Sequence, residues 1–285
     1  MPDRYRTTTV RLRRLAAELR KLRGEAGLSR EDVVESTGIN VATLYRIEHA
    51  RVRPQPRTLR TLLDTYGVGE VRQAELLALS REAAQRGWPH AYRPELSETY
   101  RTYIGFEDEA RAVWNYEALL VPGLLQTEDY ARAVVRGGLP EAGDDEVQSR
   151  VEARMARQAV LTRTNPVRLW AIVDEAALRR RVGGQAVMSA QLHRLIKAAE
   201  VPTITLQVIS FDVGAHPGMP GAFAILKFPD DEDPDVVYVD SMATGFFVED
   251  DAAIQWYANM YEHLRAVALS PADSLTLLDG IAEVS

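Results

Sequence analysis

The chain has no cysteine, which excludes disulfides and thiolate metal sites and suits a reducing compartment such as the cytoplasm. It has no apolar run of membrane-spanning length, so no membrane partner is expected. The opening residues 1–14, MPDRYRTTTVRLRR, lack the apolar centre of a secretory signal, which again predicts a cytoplasmic protein. Histidine is scarce, with five in 285 residues, and H-E-x-x-H, G-x-S-x-G and phosphate-cradling glycine loops are all missing. No catalysis, metal or cofactor is therefore expected. Internal repeats and low-complexity tracts are lacking too.

What is present is an ordinary globular composition, 46% apolar and 26% charged, in a chain long enough for two domains. The formal charge of −7 is unevenly spread. Residues 1–93 hold 18 Lys and Arg against 11 Asp and Glu, a net of +7. The remainder hold 16 against 30, a net of −14. A basic front on an acidic body places any attraction for phosphate in the first domain.

Residues 27–50, GLSREDVVESTGINVATLYRIEHA, carry the sharpest signal. Ser29 with Asp32 three positions on is a capping-box start, and Val33 and Val34 give that helix an apolar side. Gly38 can take the positive φ of a tight helix-to-helix turn, and Asn40 suits the N-cap of a second helix. Leu44 and Ile47 fall on one face of that helix and leave Val41, Ala42, Thr43 and Arg46 on the other. This is helix-turn-helix spacing, which predicts a double-stranded DNA partner and a nucleoid-associated state when bound. Arg46 can donate two bonds to guanine, Val41 and Ala42 suit a thymine methyl, and Thr43 can reach a base or a phosphate. Ser29, Arg30, Asn40, His49, Arg51, Arg53 and Arg57 are assigned to the DNA backbone around the reader.

Around this motif the periodicity predicts helices over about 10–25, 57–66 and 70–86, so the front is an all-α five-helix bundle over residues 8–86. A Gly- and Pro-punctuated linker is placed at 87–99, followed by a domain over 100–285. There the amphipathic stretches alternate with the β-branched runs VRLWAIV, ITLQVISF, AFAILKF and DVVYVDS, which predicts an α+β or α/β fold.

Residues 12–66, through Gly27–Leu28–Ser29, Gly38, Leu44 and Ile47–Glu48, resemble the Xre family of λ- and 434-like phage repressors. Val34 stands where that family commonly has alanine. The stretches VPGLLQTEDYARAV (121–134), RVEARMARQAVLTR (150–163), LWAIVDEAALRR (169–180), GAHPGMPGAF (214–223) and DVVYVDS (235–241) resemble the C-terminal domain of actinobacterial, antitoxin-like WhiJ-type regulators. The resemblance implies a homodimer acting in transcription regulation, with a small acidic partner protein encoded nearby.

In the C-terminal domain the expected site for an effector or partner gathers Trp170, His216, Phe223, Tyr238, Phe246 and Phe247. A small-molecule effector and a protein partner both remain open. Asp174 and Glu175 are adjacent carboxylates, but they open a helix whose N-terminal dipole favours them there. His216 lies in the loop GAHPG with no second ligand at metal spacing. The expectation is a sequence-specific transcription regulator; the alternative is an antitoxin-like interaction protein that uses DNA binding for autoregulation.

Overall fold

The computed structural model describes residues 10–83, 96–229, 233–240, 245–248 and 250–284. The chain divides into an N-terminal helical unit and a larger C-terminal unit, and each is described by itself. The boundary expected at 87–99 falls mostly outside the described residues.

The N-terminal unit contains α1 (Val10–Glu25), α2 (Arg30–Thr37), α3 (Val41–Glu48), α4 (Pro56–Thr65) and α5 (Glu70–Glu82). Leu15 and Leu19 of α1, Val33 of α2, Leu44 and Ile47 of α3, and Leu59, Leu62 and Leu63 of α4 build one buried core. Val34 packs at its margin. The starts and stops are chemical. Ser29 Oγ accepts from the Asp32 amide at 3.1 Å while Asp32 Oδ2 accepts from the Ser29 amide at 2.8 Å, closing the capping box. Gly38 ends α2 at φ 70, where its amide donates to the Val34 carbonyl at 2.9 Å. A side chain there would meet the left-handed penalty, so the glycine sets the turn into α3.

The C-terminal unit opens with α6 (Glu98–Glu109), which the sequence pattern leaves unassigned. Ser97 caps it by accepting from the Tyr100 amide at 3.2 Å. Then follow β1 (Ala112–Glu117), α7 (Glu128–Gly138), α8 (Asp144–Arg157), β2 (Arg168–Asp174), α9 (Glu175–Arg179) and α10 (Gln185–Ala199). The chain continues through β3 (Ile204–Ile209), β4 (Phe223–Lys227), β5 (Val236–Val239), β6 (Phe246–Val248), α11 (Asp251–Val267) and α12 (Pro271–Val284). The strands form one mixed sheet in the order β3-β2-β1-β4-β5-β6. β1, β2 and β3 run parallel, and β4, β5 and β6 extend the sheet antiparallel from β1. Helices with a six-stranded mixed sheet make the unit α+β.

Register decides which side chains share a face. Asn115 pairs with Ala224, Ala224 with Tyr238, and Tyr238 with Phe247, so these line one side of the sheet. Trp114 pairs with Trp170, and Tyr116 with Phe223, on the opposite side. That opposite side joins Tyr261 and Leu264 of α11 in a buried core. The outer edge of β3 is blunted by the link between α11 and α12. There the Leu269 amide donates to the Val208 carbonyl at 2.9 Å, and Ser274 Oγ accepts from the Val208 amide at 2.9 Å.

Candidate nucleic-acid interface and C-terminal cavity

Asn40 begins α3 by accepting the Ala42 amide at 2.9 Å, as its place before the helix predicts. Leu44 and Ile47 are buried, which turns Val41, Ala42, Tyr45 and Arg46 outward, with Thr43 half-buried beside them. Arg46 lies back along its own helix, with Nε donating to the Ala42 carbonyl at 3.2 Å and Nη2 to Thr43 Oγ1 at 3.3 Å. Of the four residues expected to read bases, Val41, Ala42 and Arg46 are exposed and Thr43 is half-buried.

Tyr45 is the reader-face residue that the sequence pattern missed. Its ring stacks on His49 at 3.8 Å between centroids, and the guanidiniums of Arg30 and Arg51 stand over it at 5.5 and 5.6 Å. The signal was available: position 45 is four on from Val41 and four before His49, on the same helical stripe. Arg51 reaches the ring because Ala50 takes φ 52, the only positive φ outside glycine among the described residues. That left-handed residue lets the Arg51 amide return to the Arg46 carbonyl at 2.8 Å.

The residues expected on the phosphate rim divide. Arg51 and Arg57 are exposed, whereas Ser29 and Asn40 spend their side-chain oxygens on caps. His49 Nδ1 lies 2.7 Å from the Tyr45 carbonyl, and Arg53 Nη1 donates to the Ser80 carbonyl at 3.2 Å. Arg30 turns inward, with Nε donating to Glu48 at 2.6 Å.

Glu48 is fully buried and is the electrostatic centre of this unit. Arg23 Nε donates to its other oxygen at 2.6 Å, and Arg20 donates to its backbone carbonyl. Burial would raise this carboxyl, but the hydrogen bonds from Arg23 and Arg30 win and hold it below the ordinary carboxylate range. A depressed folded value stabilises the unit above the unfolded value of about 4.3, and the benefit is lost as pH falls through the folded value. We expect the protection of the Leu44 and Ile47 amides, taken relative to the exchange rate of the unfolded chain at the same pH, to fall on acidification below about pH 4. Glu48→Gln should flatten that dependence; an unchanged acid profile in this variant would assign the effect elsewhere.

On the cavity side of the sheet, residues of α6 and α8 join Asn115, Glu117 and Tyr238 in lining an open cavity of about 640 Å³, in which Glu117 is half-buried. Tyr100, Tyr103 and Glu107 project from α6 at helical spacing, and Arg154 and Arg157 project from α8 three apart. Arg157 and Glu107 form a buried two-pronged pair, both bonds at 2.8 Å. The third prong of Arg157 donates to the Tyr100 hydroxyl, and its guanidinium lies 5.0 Å from the Tyr103 ring. Tyr103 in turn stacks on Tyr238 at 4.2 Å. Arg154 donates to Gln126 Oε1 at 3.1 Å. Glu117 receives only a long bond from Asn115 Nδ2, 3.4 Å, among the described residues. Burial and then the nearby Asp240 carboxylate push Glu117 up to about 8, against the pull of Asn115, Arg154 and Arg157.

The six residues expected to form one effector or partner site are not brought together. Tyr238 lines the cavity with its ring, and Phe247 packs behind it, edge-on to Phe106 at 5.2 Å. Phe223 borders the cavity, but its ring packs on the other side of the sheet against Tyr257 at 5.0 Å. Trp170 also faces that other side, donating to Gln207 at 2.8 Å with Arg265 over its ring at 4.3 Å. Phe246 is 48% exposed at the sheet edge. His216 Nδ1 accepts from the Gly218 amide at 3.3 Å, which leaves Nε2 to donate to Asp174 at 3.1 Å. Asp174 is the N-cap of α9, accepting from the Ala176 amide at 2.8 Å. Glu175 accepts from Arg179 and from the Phe211 amide, so both carboxylates serve the local architecture.

Comparison with known families gives two matches. Residues 14–76 match a family model described as a helix-turn-helix domain. Residues 100–280 match one described as a domain of unknown function, DUF5753. No curated protein and no solved structure matches the chain.

Proposed function

We propose, for a chain that belongs to the DUF5753 family and carries a helix-turn-helix head, the role of a sequence-specific DNA-binding transcription regulator. The observation that carries this reading is the outward face of α3, where Val41, Ala42, Tyr45 and Arg46 stand exposed above a core-anchored Leu44. A helix held in this way presents donors and apolar groups of the size that major-groove base edges require. The exposed Arg51 and Arg57 flank it as phosphate ligands, and the net charge of +7 over residues 1–93 supplies the attraction. Arg30 and Arg53, each with a bond inside the unit, position the reader and contact phosphate less. The chain acts as a homodimer on a pseudo-palindromic operator, since one short reader helix covers only half a site. It is cytoplasmic, does no chemistry of its own, and its C-terminal unit receives a small-molecule signal in the cavity above Glu117. A small acidic partner, which the sequence resemblance implies, would meet a region of net charge −14 and is the less favoured signal.

Arg46→Ala is expected to weaken operator binding by about 1–3 kcal/mol and to relax preference at one base pair. Titration against the operator and its single-base variants reads both effects. Equal weakening on every sequence would move Arg46 from base reading to phosphate contact.

A further inference from the structure

The cavity under α6 and α8 has an unusual balance of charge. Arg157 and Glu107 neutralise one another and use up their bonding capacity on each other and on Tyr100. Arg154, half-buried, and Asp240, exposed, are the next lining groups of opposite sign. Glu117 is the group left over, with one long hydrogen bond and no cation in contact among the described residues. A half-buried carboxyl with so few hydrogen bonds is costly to ionise without a partner. At the mouth, Leu119 and Met219 are 61% and 66% exposed although both are large and apolar. The interior wall is aromatic, through Tyr100 and Tyr238.

We infer that this cavity binds a small amphipathic molecule carrying a basic nitrogen, its cationic head against Glu117 and Asp240 and its apolar body along Tyr100, Tyr238, Leu119 and Met219. The inference rests on reading the C-terminal unit as the signal receiver and names the chemistry of the signal. A cation lets Glu117 ionise and leaves the filled cavity neutral. An anion would pair with Arg154 but would add negative charge beside the exposed Asp240 and would leave Glu117 without a counter-charge. A neutral molecule can hydrogen-bond to Glu117 but supplies no charge to offset its ionised form. The size is suitable, because about 640 Å³ lies within the range of small-molecule sites.

Binding of this kind is coupled to a proton. Since burial pushes Glu117 up to about 8, a cation bound against it displaces its proton at neutral pH. Affinity then rises with pH, by up to about tenfold per unit below that value, and levels off above it. The charged groups facing Glu117 are Asp240 beyond β5 and Arg154 and Arg157 from α8. Burial keeps the Tyr103, Tyr116, Tyr130 and Tyr238 hydroxyls raised and un-ionised. Tyr100, drawn down by Arg157 and Arg154 despite burial, is the remaining group that titrates toward the range.

Three isosteric probes test this on the full chain without DNA: naphthalene-2-carboxamidine, its carboxamide and its carboxylate. At pH 8 the amidine is expected to bind at least about tenfold tighter than either of the others. Calorimetry in buffers of different ionisation heat at pH 7 should register release of close to one proton per amidine bound. Glu117→Gln, which keeps the neutral form that burial favours, should abolish both the preference and the pH slope. If the carboxylate binds tightest, if amidine and carboxamide bind alike, or if none binds at millimolar concentration, the assignment is overturned. Proton release near zero in the unaltered protein overturns it as well, whatever the variant does. DNA retardation on the same preparation separates the two readings. DNA binding without amidine binding removes only the ligand class, and the reverse removes only the regulator.

Discussion

Arg157→Met is expected to destabilise the C-terminal unit by about 3–5 kcal/mol, the usual cost of stranding one member of a buried ion pair. The side chains of Arg157 and Glu107 are 6% and 1% exposed, so water replaces the lost partner poorly. Both oxygens of Glu107 are bonded to Arg157, and methionine offers neither. The Tyr100 hydroxyl loses its donor in the same step. Urea unfolding of the full chain reads the loss as a lower midpoint of the C-terminal transition. The double change Glu107→Leu with Arg157→Met should recover most of it, because an apolar pair of similar volume leaves no buried charge. A single variant within about 1 kcal/mol of the parent would mean that Glu107 is neutral or hydrated, against the pair described above.

Leu44→Ala carries the second large effect, in the N-terminal unit. Leu44 is fully buried where α3 meets the rest of the bundle core. Truncation of such a leucine costs about 2–5 kcal/mol, through lost transfer energy and the cavity left behind. A small helical unit has total stability of only about 0.05–0.15 kcal/mol per residue, so most of its margin disappears. Amide exchange in α1 to α4 should approach that of the unfolded chain, and operator affinity should fall with it. Val41→Ala, on the exposed side of the same helix, should stay within about 0.5 kcal/mol in stability. If Leu44→Ala left exchange unchanged, α3 would not be anchored through this side chain. The pairing of the two variants separates loss of the reader's support from loss of its surface.

How much of this was legible beforehand depended on sequence distance. The bundle is written locally: the leucines of α1 recur every three or four residues, and the helix runs over Val10–Glu25 as the pattern requires. The capping box at Ser29, the turn at Gly38 and the cap at Asn40 each involve residues within four positions of one another. Tyr45 was missed because a tyrosine suits a core or a surface equally, and only Leu44 and Ile47 together fix which side it takes. The cavity is different. Its residues come from α6, β1, α8, β4 and β5, and strand order and register bring them together. Grouping aromatics near strands put Trp170 and Phe223 with Tyr238, although one step of alternation separates the two faces of a sheet. Helix α6 went unassigned because it follows a proline-rich stretch, yet Ser97, Tyr100, Tyr103 and Glu107 already lie at helical spacing. The ion pair between positions 107 and 157 had no local signal at all.

Selection of bound fragments from a random duplex pool by the purified full chain tests the assignment of α3 most directly. The enriched sequences should form a pseudo-palindrome with half-sites about one helical turn apart, ~34–36 Å between centres. Arg46→Ala should blur one position in each half-site. A pool that remains random after repeated selection, even at low ionic strength and with the amidine present or absent, contradicts α3 as a reader of DNA.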